Sequence, residues 1–297
     1  MSLNLKLIQR GILDGIPAQG CYLFFSMLAG GDKRKAIKAL ASRVDGTSVV
    51  AGFGASLVAA LDAQVAGLRP FPALDARVDV PATPYALWCW LRGDDRGDLL
   101  LRARMLEAML GEAFALELMI DAFKYDSGRD LTGYEDGTEN PAGDEALDAA
   151  FVDKGTSGLR GSSFVAVQQW VHDLDLFSSW SRKRQDNAVG RRRSDNKELG
   201  NAPASAHVKR TAQESFEPEA FVLRRSMPWS DSNGNAGLLF AAFGSGLDAF
   251  EAQMKRMAGM DDDIVDAMFD FSRPLTGSYF WCPPMRGGKL DITMLQL

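Results

Sequence analysis

The order of strand-like and helix-like segments predicts an α+β fold of two tandem ferredoxin-like halves, each a β-α-β-β-α-β unit with an antiparallel sheet. Two observations predict this fold. The same order of segments occurs twice along the chain, and a polar segment rich in Gly, Asp and Asn separates the two occurrences. We therefore expect an N-terminal half over residues 1–144 and a C-terminal half over residues 145–297.

The first half contains apolar segments of strand length and two segments with apolar residues at helical spacing. Strands are predicted at 20–27, 47–53, 85–92 and 113–123, and helices at 32–44 and 97–110. Segment 113–123 is compatible with a strand or a helix, and the order of elements favours the strand. The polar segment 124–144 interrupts the pattern and is predicted to be a loop.

The second half repeats the pattern and adds an insertion. Strands are predicted at 163–171, 221–226, 236–243 and 277–282, and helices at 174–181, 247–257 and 261–269. The polar, basic segment 182–205, which contains GRRRSDN, is predicted to be irregular. It forms the insertion before the second strand of this half.

The composition is that of an ordinary globular protein. The 297 residues are 46% hydrophobic and 24% charged, enough apolar material for a substantial core. A net charge of −6 gives no reason to expect nucleic acid or an anionic membrane as a partner. No run of about 18 apolar residues occurs, and the N-terminus carries no export signal. We therefore expect no membrane span and a cytoplasmic location.

Cysteine and histidine counts exclude several kinds of site. The three cysteines lie far apart without a CxxC or CxxCH motif, which argues against a disulfide framework, a zinc knuckle and covalent haem attachment. With only His172 and His207 present, a three-histidine zinc site is impossible, and HExxH is absent. Any chemistry that requires histidine must use one of these two residues.

A cation and a hydroxyl are predicted to share one strand face. Residues i and i+2 of a strand point to the same side, which places Arg224 beside Ser226. This pair suits an oxyanion or a peroxide; the alternative is a strand edge whose charge pairs with surface acids. Asp136, within GYEDGTEN, is compatible with an Asx-turn or cap and with an acid placed for chemistry.

The two histidines receive different interpretations. His207, in SAHVKR, leaves a loop and could bind a metal or haem iron through one ring nitrogen while the other donates to a carboxylate. The alternative is an ordinary, partly exposed histidine. His172, in WVHDLD, precedes a predicted helix, and we expect it to form local hydrogen bonds rather than act as a ligand.

Taken together, these residues resemble the dye-decolorising peroxidases, a family of haem peroxidases. GYEDGTENP resembles the family's GxxDG motif, with Gly133, Asp136 and Gly137 at its fixed positions. His207 resembles its proximal haem ligand, Arg224 in LRRSMP its distal arginine, and FDFSRPLTGSYF at 269–280 its last helix-to-strand segment. The resemblance extends over nearly the whole chain and is strongest to the bacterial, cytosolic subgroup that includes the porphyrinogen peroxidases.

The resemblance implies a peroxidase with non-covalent haem b. His207 would bind iron, and the family match indicates Asp270 as its carboxylate partner, with Asp266 as the competing candidate. Asp136 would take a proton from hydrogen peroxide and return it to the departing oxygen, while Arg224 stabilises negative charge.

Further residues receive roles from the same resemblance. Ser226 would hydrogen-bond Arg224, peroxide or water, and Phe240 would form an apolar distal wall, with an ordinary core aromatic as the alternative. Gly137 and Thr138 are expected to contact the cofactor. Arg191 would pair with a haem propionate; a solvated basic loop is the alternative.

The expected partners are hydrogen peroxide and a reducing substrate such as a dye, a phenolic compound or a porphyrinogen. A haem-handling, deferrochelatase-like protein with incidental peroxidase activity is the first alternative, and a haem-free binding protein is the second. The resemblance also implies a homo-oligomer. Docking into an encapsulin shell is a family property that the C-terminal residues KLDITMLQL match poorly.

Overall fold

The computed structural model describes residues 3–297. Its α-helices are α1 Arg10–Leu13, α2 Lys33–Ala41, α3 Ala55–Ala60, α4 Arg96–Leu110, α5 Gly143–Ala150, α6 Leu174–Ser179, α7 Arg182–Val189, α8 His207–Arg210 and α9 Asp248–Met257. Its strands are β1 Gln19–Met27, β2 Val49–Phe53, β3 Leu74–Asp75, β4 Asp79–Val80, β5 Leu87–Gly93, β6 Phe114–Phe123, β7 Ser163–His172, β8 Leu223–Arg224, β9 Met227–Ser230, β10 Ala236–Gly244, β11 Ser272–Pro274, β12 Ser278–Cys282, β13 Met285–Arg286 and β14 Lys289–Leu290. Short 3₁₀ turns lie at Leu5–Leu7, Gln213–Ser215, Ala267–Asp270 and Thr293–Leu295.

The main strands form a closed, antiparallel ring. Backbone pairing runs in the order β7, β12, β2, β5, β1, β6, β9, β10 and returns from β10 to β7. The short strands β11 and β8 pair with β7 and β10 respectively. Closure leaves few free edges, which a sheet of this size would otherwise expose to other chains.

The ring consists of two four-stranded groups with the same internal order. Strands β2, β5, β1 and β6 form one group, and β9, β10, β7 and β12 form the other. A single residue pair joins them at each junction, Trp281 with Phe53 and Ala122 with Trp229. This arrangement is an α+β fold of two ferredoxin-like halves, as the sequence predicts. The boundary at residues 144 and 145 stays a prediction, which this grouping of strands supports.

The interior of the ring is filled with side chains. Tyr22 stacks on Trp90 with ring centroids 5.7 Å apart and planes within 4°, and Trp88 stacks on Phe280 at 5.8 Å. Phe243 lies between these groups and is fully buried. Each such aromatic buries about 150–250 Å², so this layer is a packed core. Any large ligand must therefore bind outside the ring.

The outer faces of the sheets are covered by helices. In the first half, the buried side of α4 packs on β1 and β5 through Leu99, Ala103 and Leu106. In the second half, α9 lies over β10 and buries Phe250, Met254 and Met257. Helix α8 packs against α9, and α7 packs against α8. The outer face of β7 and β10 therefore forms one wall of a space between the sheet and these helices.

Most predicted strands are confirmed. The ambiguous segment 113–123 is the strand β6, and the strands 20–27, 47–53, 85–92, 163–171, 236–243 and 277–282 correspond to β1, β2, β5, β7, β10 and β12. The helices 32–44, 97–110 and 247–257 correspond to α2, α4 and α9, and 174–181 contains α6. The strand predicted at 221–226 is shorter in the structure. Only Leu223–Arg224 pairs with β10, as β8, and the separate strand β9 begins at Met227.

Two predictions of local structure are wrong. Segment 182–205 begins with the helix α7, which Ser181 caps and which ends at Gly190 in a left-handed conformation with φ of 92°. Segment 261–269 is not an α-helix. Asp263 adopts φ of 62° there, which breaks helical geometry, and only the short turn Ala267–Asp270 follows.

Two further expectations concern the cysteines and membrane-spanning helices. Cys21, Cys89 and Cys282 are all free and buried, which agrees with the absence of a disulfide framework. Within residues 3–297, none of the helices has the length and apolar character needed to cross a lipid bilayer.

A buried polar cluster ties the start of the 130–136 loop to the sheet. His172 on β7 approaches Asp130 Oδ1 with Nε2 at 3.0 Å and Ser272 Oγ with Nδ1 at 2.6 Å. The backbone N–H and hydroxyl of Thr132 donate to Asp130 Oδ2. Burial tends to raise the pKa of Asp130, but the hydrogen bonds from His172 and Thr132 outweigh it and hold this pKa below its ordinary value.

We predict that Asp130→Asn destabilises the fold by about 1–3 kcal/mol at neutral pH, because the substitution removes a charge-assisted acceptor from a buried cluster. Because the pKa of Asp130 is lower in the folded than in the unfolded protein, its carboxylate stabilises the fold at pH values above the unfolded-state pKa of about 3.9. This stabilisation is lost as the pH falls through the folded-state pKa. Urea unfolding from pH 7 to pH 3 should therefore show a smaller loss of stability in the variant than in the wild type.

Asp126→Asn is the matched control. Asp126 is 62% exposed and pairs with Arg129 at 3.3 Å, and an exposed pair of this kind contributes about 0–1 kcal/mol. Equal effects of the two substitutions at neutral pH would contradict the anchoring role of Asp130.

Candidate active site

A cavity lies between the outer face of β7 and β10, the helices α7–α9 and the loop that contains GYEDG. The polar residues that line it are Asp130, Thr132, Tyr134, Glu135, Asp136, Gln168, His172, His207, Thr211, Arg224 and Gln253. The apolar ones are Trp170, Val189, Leu238, Phe240, Phe250, Met254, Met257, Met268 and Phe271.

His207 is the first residue of α8 and lines the helical side of this cavity. Its Nδ1 lies 2.8 Å from Oδ2 of Asp266, a fully buried carboxylate. Because a carboxylate only accepts, Nδ1 carries the hydrogen of this contact, and in the neutral imidazole Nε2 then has a free lone pair. The other oxygen of Asp266 accepts from the backbone N–H of Met268 at 2.8 Å, so the acid that holds the imidazole is itself fixed.

The prediction that Asp270 is the partner of His207 is corrected. Asp270 is exposed at the end of the 3₁₀ turn, whereas Asp266 precedes and caps that turn. The backbone N–H of Ala267 donates to Ser205 O, which brings the start of the turn next to α8. This contact positions Asp266, the alternative that the sequence also offered, against the imidazole.

Arg224 and Asp136 meet on a different wall of the same cavity. Nε of Arg224 lies 3.7 Å from Oδ1 of Asp136, and the two side chains are 15% and 23% exposed. Arg224 is on β8, and Asp136 is on the loop between the two halves of the chain. The structure thus brings together two residues that lie 88 positions apart, and it joins them with a loose ion pair.

Asn140, which was not identified from the sequence, holds this loop against β8. Its Oδ1 accepts from the backbone N–H of Arg224 at 2.7 Å, and its Nδ2 donates to the Arg224 carbonyl at 3.0 Å. Gly137 adopts φ of 73°, and a Cβ atom there would lie 2.6 Å from Nδ2 of Asn140. The glycine therefore permits the Asn140 contact, and it is not among the residues that line the cavity.

Thr138 and Arg191 also lie outside the cavity lining. Thr138 is exposed, and its Oγ1 accepts from Nδ2 of Asn196 at 3.0 Å. The guanidinium of Arg191 is buried, hydrogen-bonds Glu139 and lies 3.5 Å from Glu198. Arg191 could therefore contact a propionate only by sharing or releasing these two carboxylates.

Phe240 and Ser226 lie close to Arg224 on the sheet. Phe240 lines the cavity, and its ring centroid is 6.0 Å from that of Phe250. Ser226 follows Arg224 by two residues and is buried, but it does not line the cavity. Within residues 3–297, its hydroxyl has no hydrogen-bond partner.

Three lining residues on one face of β7 were not assigned to the site from the sequence. Gln168, Trp170 and His172 alternate along the strand and point to the cavity side. The period-2 spacing in QQWVH was the available signal. Both ring nitrogens of His172 are hydrogen-bonded, so this histidine is not a free ligand, but its partners are distant in sequence rather than local.

Comparison with known proteins adds to this geometry. Residues 127–287 match the family model described as Dyp-type peroxidase, C-terminal. A dye-decolorizing peroxidase of Brevibacterium linens is 32% identical over 253 residues, which is 82% of this chain and 68% of that protein. The matched segment includes the GYEDG loop, His207 and Arg224.

Solved structures are similar over almost the entire chain. A dye-decolorizing protein from V. cholerae has 25% sequence identity and a TM-score of 0.85, covering 96% of this chain and 98% of its own. A variant of DypB from Rhodococcus jostii RHA1, in complex with haem, has 26% identity and a TM-score of 0.81 over 90% of this chain and 93% of its own. The chain belongs to the Dyp-type peroxidase family.

Proposed function

We propose that this protein is a haem-dependent peroxidase that reduces hydrogen peroxide and oxidises small reducing substrates. One observation carries the proposal: the His207–Asp266 pair and the Arg224–Asp136 pair line the same cavity from different walls. The first pair suits a metal ligand with its supporting acid. The second suits proton transfer and charge stabilisation at a peroxide.

The residues of the cavity fit a haem. Aromatic and methionine side chains supply much of the lining, as a flat apolar macrocycle requires, and His207 offers Nε2 to iron. The free cysteines are all buried in the core, which supports non-covalent haem b. When bound, haem supplies the redox-active iron at which peroxide is reduced and the reducing substrate is oxidised.

His207 and Asp266 form the proximal side in this proposal. Asp266 accepts the Nδ1 hydrogen of His207 and makes the imidazole a stronger electron donor through Nε2. Because Asp266 is fully buried and also accepts from Met268, the imidazole is held in one orientation and one tautomer.

Asp136 and Arg224 form the distal side. A carboxylate oxygen of Asp136 takes a proton from hydrogen peroxide and returns it to the departing oxygen, which leaves as water. The guanidinium of Arg224 stabilises negative charge as the O–O bond breaks. The separation of 3.7 Å between Nε and Oδ1 leaves both groups free to contact peroxide rather than only each other. Phe240 would support this side with an apolar wall, whereas Ser226 lies outside the cavity lining.

Dyes, phenolic compounds and porphyrinogens are the proposed reducing substrates. The Brevibacterium linens relative is named a dye-decolorizing peroxidase. We propose that this protein oxidises dyes as well, and phenolic compounds and porphyrinogens in addition. A haem-handling role would require only His207 and a pocket. The Asp136–Arg224 pair in the same cavity favours catalysis.

We also propose a homo-oligomer, supported by the apolar outer side of α4, where Leu101 and Met105 are 68% and 46% exposed. The apolar residues Leu290, Ile292 and Leu295 of the segment KLDITMLQL are buried against the rest of the protein. Their burial argues against the docking of this segment into an encapsulin shell.

Replacement of Asp136 or Arg224 by Ala should slow the reaction with peroxide. We expect the rate constant for one equivalent of peroxide to fall by about 10²–10⁴-fold, with the haem absorption spectrum at rest little changed. Stopped-flow absorbance at the Soret band measures this rate. Asp144→Asn, at an exposed position just beyond the loop, is the control and should react like the wild type.

The alternative function predicts a different outcome of that experiment. If peroxide only bleaches the wild-type holoprotein without turnover of a reducing dye, or if both Ala variants react at the wild-type rate, catalysis by this pair is contradicted and haem handling is favoured.

Replacements of the two candidate acids should separate Asp266 from Asp270. Asp266→Asn retains an acceptor for the His207 Nδ1 hydrogen but loses the charge, so we expect haem to remain bound and the iron reduction potential to become more positive. Asp270→Asn should leave the potential unchanged, because Asp270 is exposed. His207→Ala should alter or abolish the Soret band. A potential that responds to Asp270→Asn and not to Asp266→Asn would overturn the assignment.

A further inference from the structure

Gln168 is a fully buried side chain that faces the cavity with an unused hydrogen-bond donor. The residue is 0% exposed and lines the cavity from the centre of β7. Among residues 3–297, its Nε2 has no hydrogen-bond partner. A buried amide N–H without an acceptor is costly, so a ligand that supplies an oxygen at this position would be stabilised.

Trp170 determines which end of the amide is free. Its Nε1 lies 3.2 Å from Oε1 of Gln168. An indole N–H can only donate, so the atom that it contacts must be the amide oxygen. The NH₂ group of Gln168 is therefore the end left without a partner.

The acids in the cavity lining are already engaged. Asp136 pairs with Arg224 at 3.7 Å, and Asp130 pairs with His172 at 3.0 Å. Glu135 pairs with Arg129 at 3.2 Å. Each of these carboxylates therefore has a guanidinium or imidazole group beside it. A carboxylate from a ligand would therefore not be repelled by unpaired negative charge in the cavity lining.

The position of Gln168 relates it to the distal side of the site. Gln168 is the direct cross-strand neighbour of Phe240 on β10, and Ala242 of the same strand pairs with Arg224. Cross-strand partners share a face of the sheet. The amide thus lies on the same face of the sheet as Arg224, and β10 lies between the two residues.

We propose that the Gln168 amide anchors a propionate carboxylate of the bound haem. This inference rests on the proposed function. The two propionates are the strong hydrogen-bond acceptors of haem, and the NH₂ group of Gln168 can donate to a carboxylate oxygen without adding charge to a buried site. Arg191, the residue that the sequence suggested for this contact, is occupied by Glu139 and Glu198.

Binding to apoprotein tests the proposal without reference to activity. Haemin and its dimethyl ester, in which the propionates carry no charge, are titrated separately into wild type, Gln168→Leu and Gln168→Glu. We expect Gln168→Leu to weaken haemin binding roughly tenfold and ester binding by less than about threefold. Gln168→Glu, which keeps an acceptor for Trp170, should weaken haemin binding further, because two carboxylates then face each other.

Gln169→Leu is the matched control, because the same substitution one residue along β7 points to the opposite face of the strand. It should leave the ratio of haemin to ester affinity at the wild-type value. An unchanged ratio in Gln168→Leu and Gln168→Glu, with normal haemin binding by the wild type, would overturn this inference and leave the proposed function intact. Failure of the wild type to bind haemin would overturn both.

Discussion

The position of β10 between two neighbours is the constraint on which the site depends. Strand β10 pairs with β7 on one side and with β8 and β9 on the other. Since cross-strand partners share a face, this register brings Arg224, Phe240 and Gln168 onto one surface. The other face of these strands is buried in the aromatic interior of the ring, so a large ligand that contacts these strands must bind between this surface and the helices.

Two polar contacts then place the loop that contains GYEDG over that surface. Asn140 binds both backbone polar groups of Arg224, and the Asp130–His172 contact fixes the start of the loop to β7. Asp136 lies between these attachment points. The helical wall has a comparable arrangement, because the buried Asp266 fixes His207. The residues proposed to react are thus held by neighbours that are themselves hydrogen-bonded, which is the condition for preorganised chemistry.

The sequence predicts the strands well because their signals are local: runs of apolar residues bounded by turns. It also identifies His207, Arg224 and Asp136 through a family resemblance. Helix α7 was missed because its charged composition concealed the signals of Ser181 and Gly190. Spacing offers Asp266 only as an alternative and does not identify Asn140, since their roles depend on contacts 59 and 84 residues away. For Gln168 the period-2 spacing of β7 was a signal, but spacing alone does not show which face of the strand lines the cavity.

In the proposed function, one cofactor binds between the His207–Asp266 pair and the Arg224–Asp136 pair. A crystal structure of the haem-loaded protein would show whether it does. We expect Nε2 of His207 to bind the iron, Nδ1 to keep its contact with Asp266, and Asp136 and Arg224 to face the other side of the porphyrin. Iron bound by any other residue, or both pairs on the same side of the ring, would contradict it.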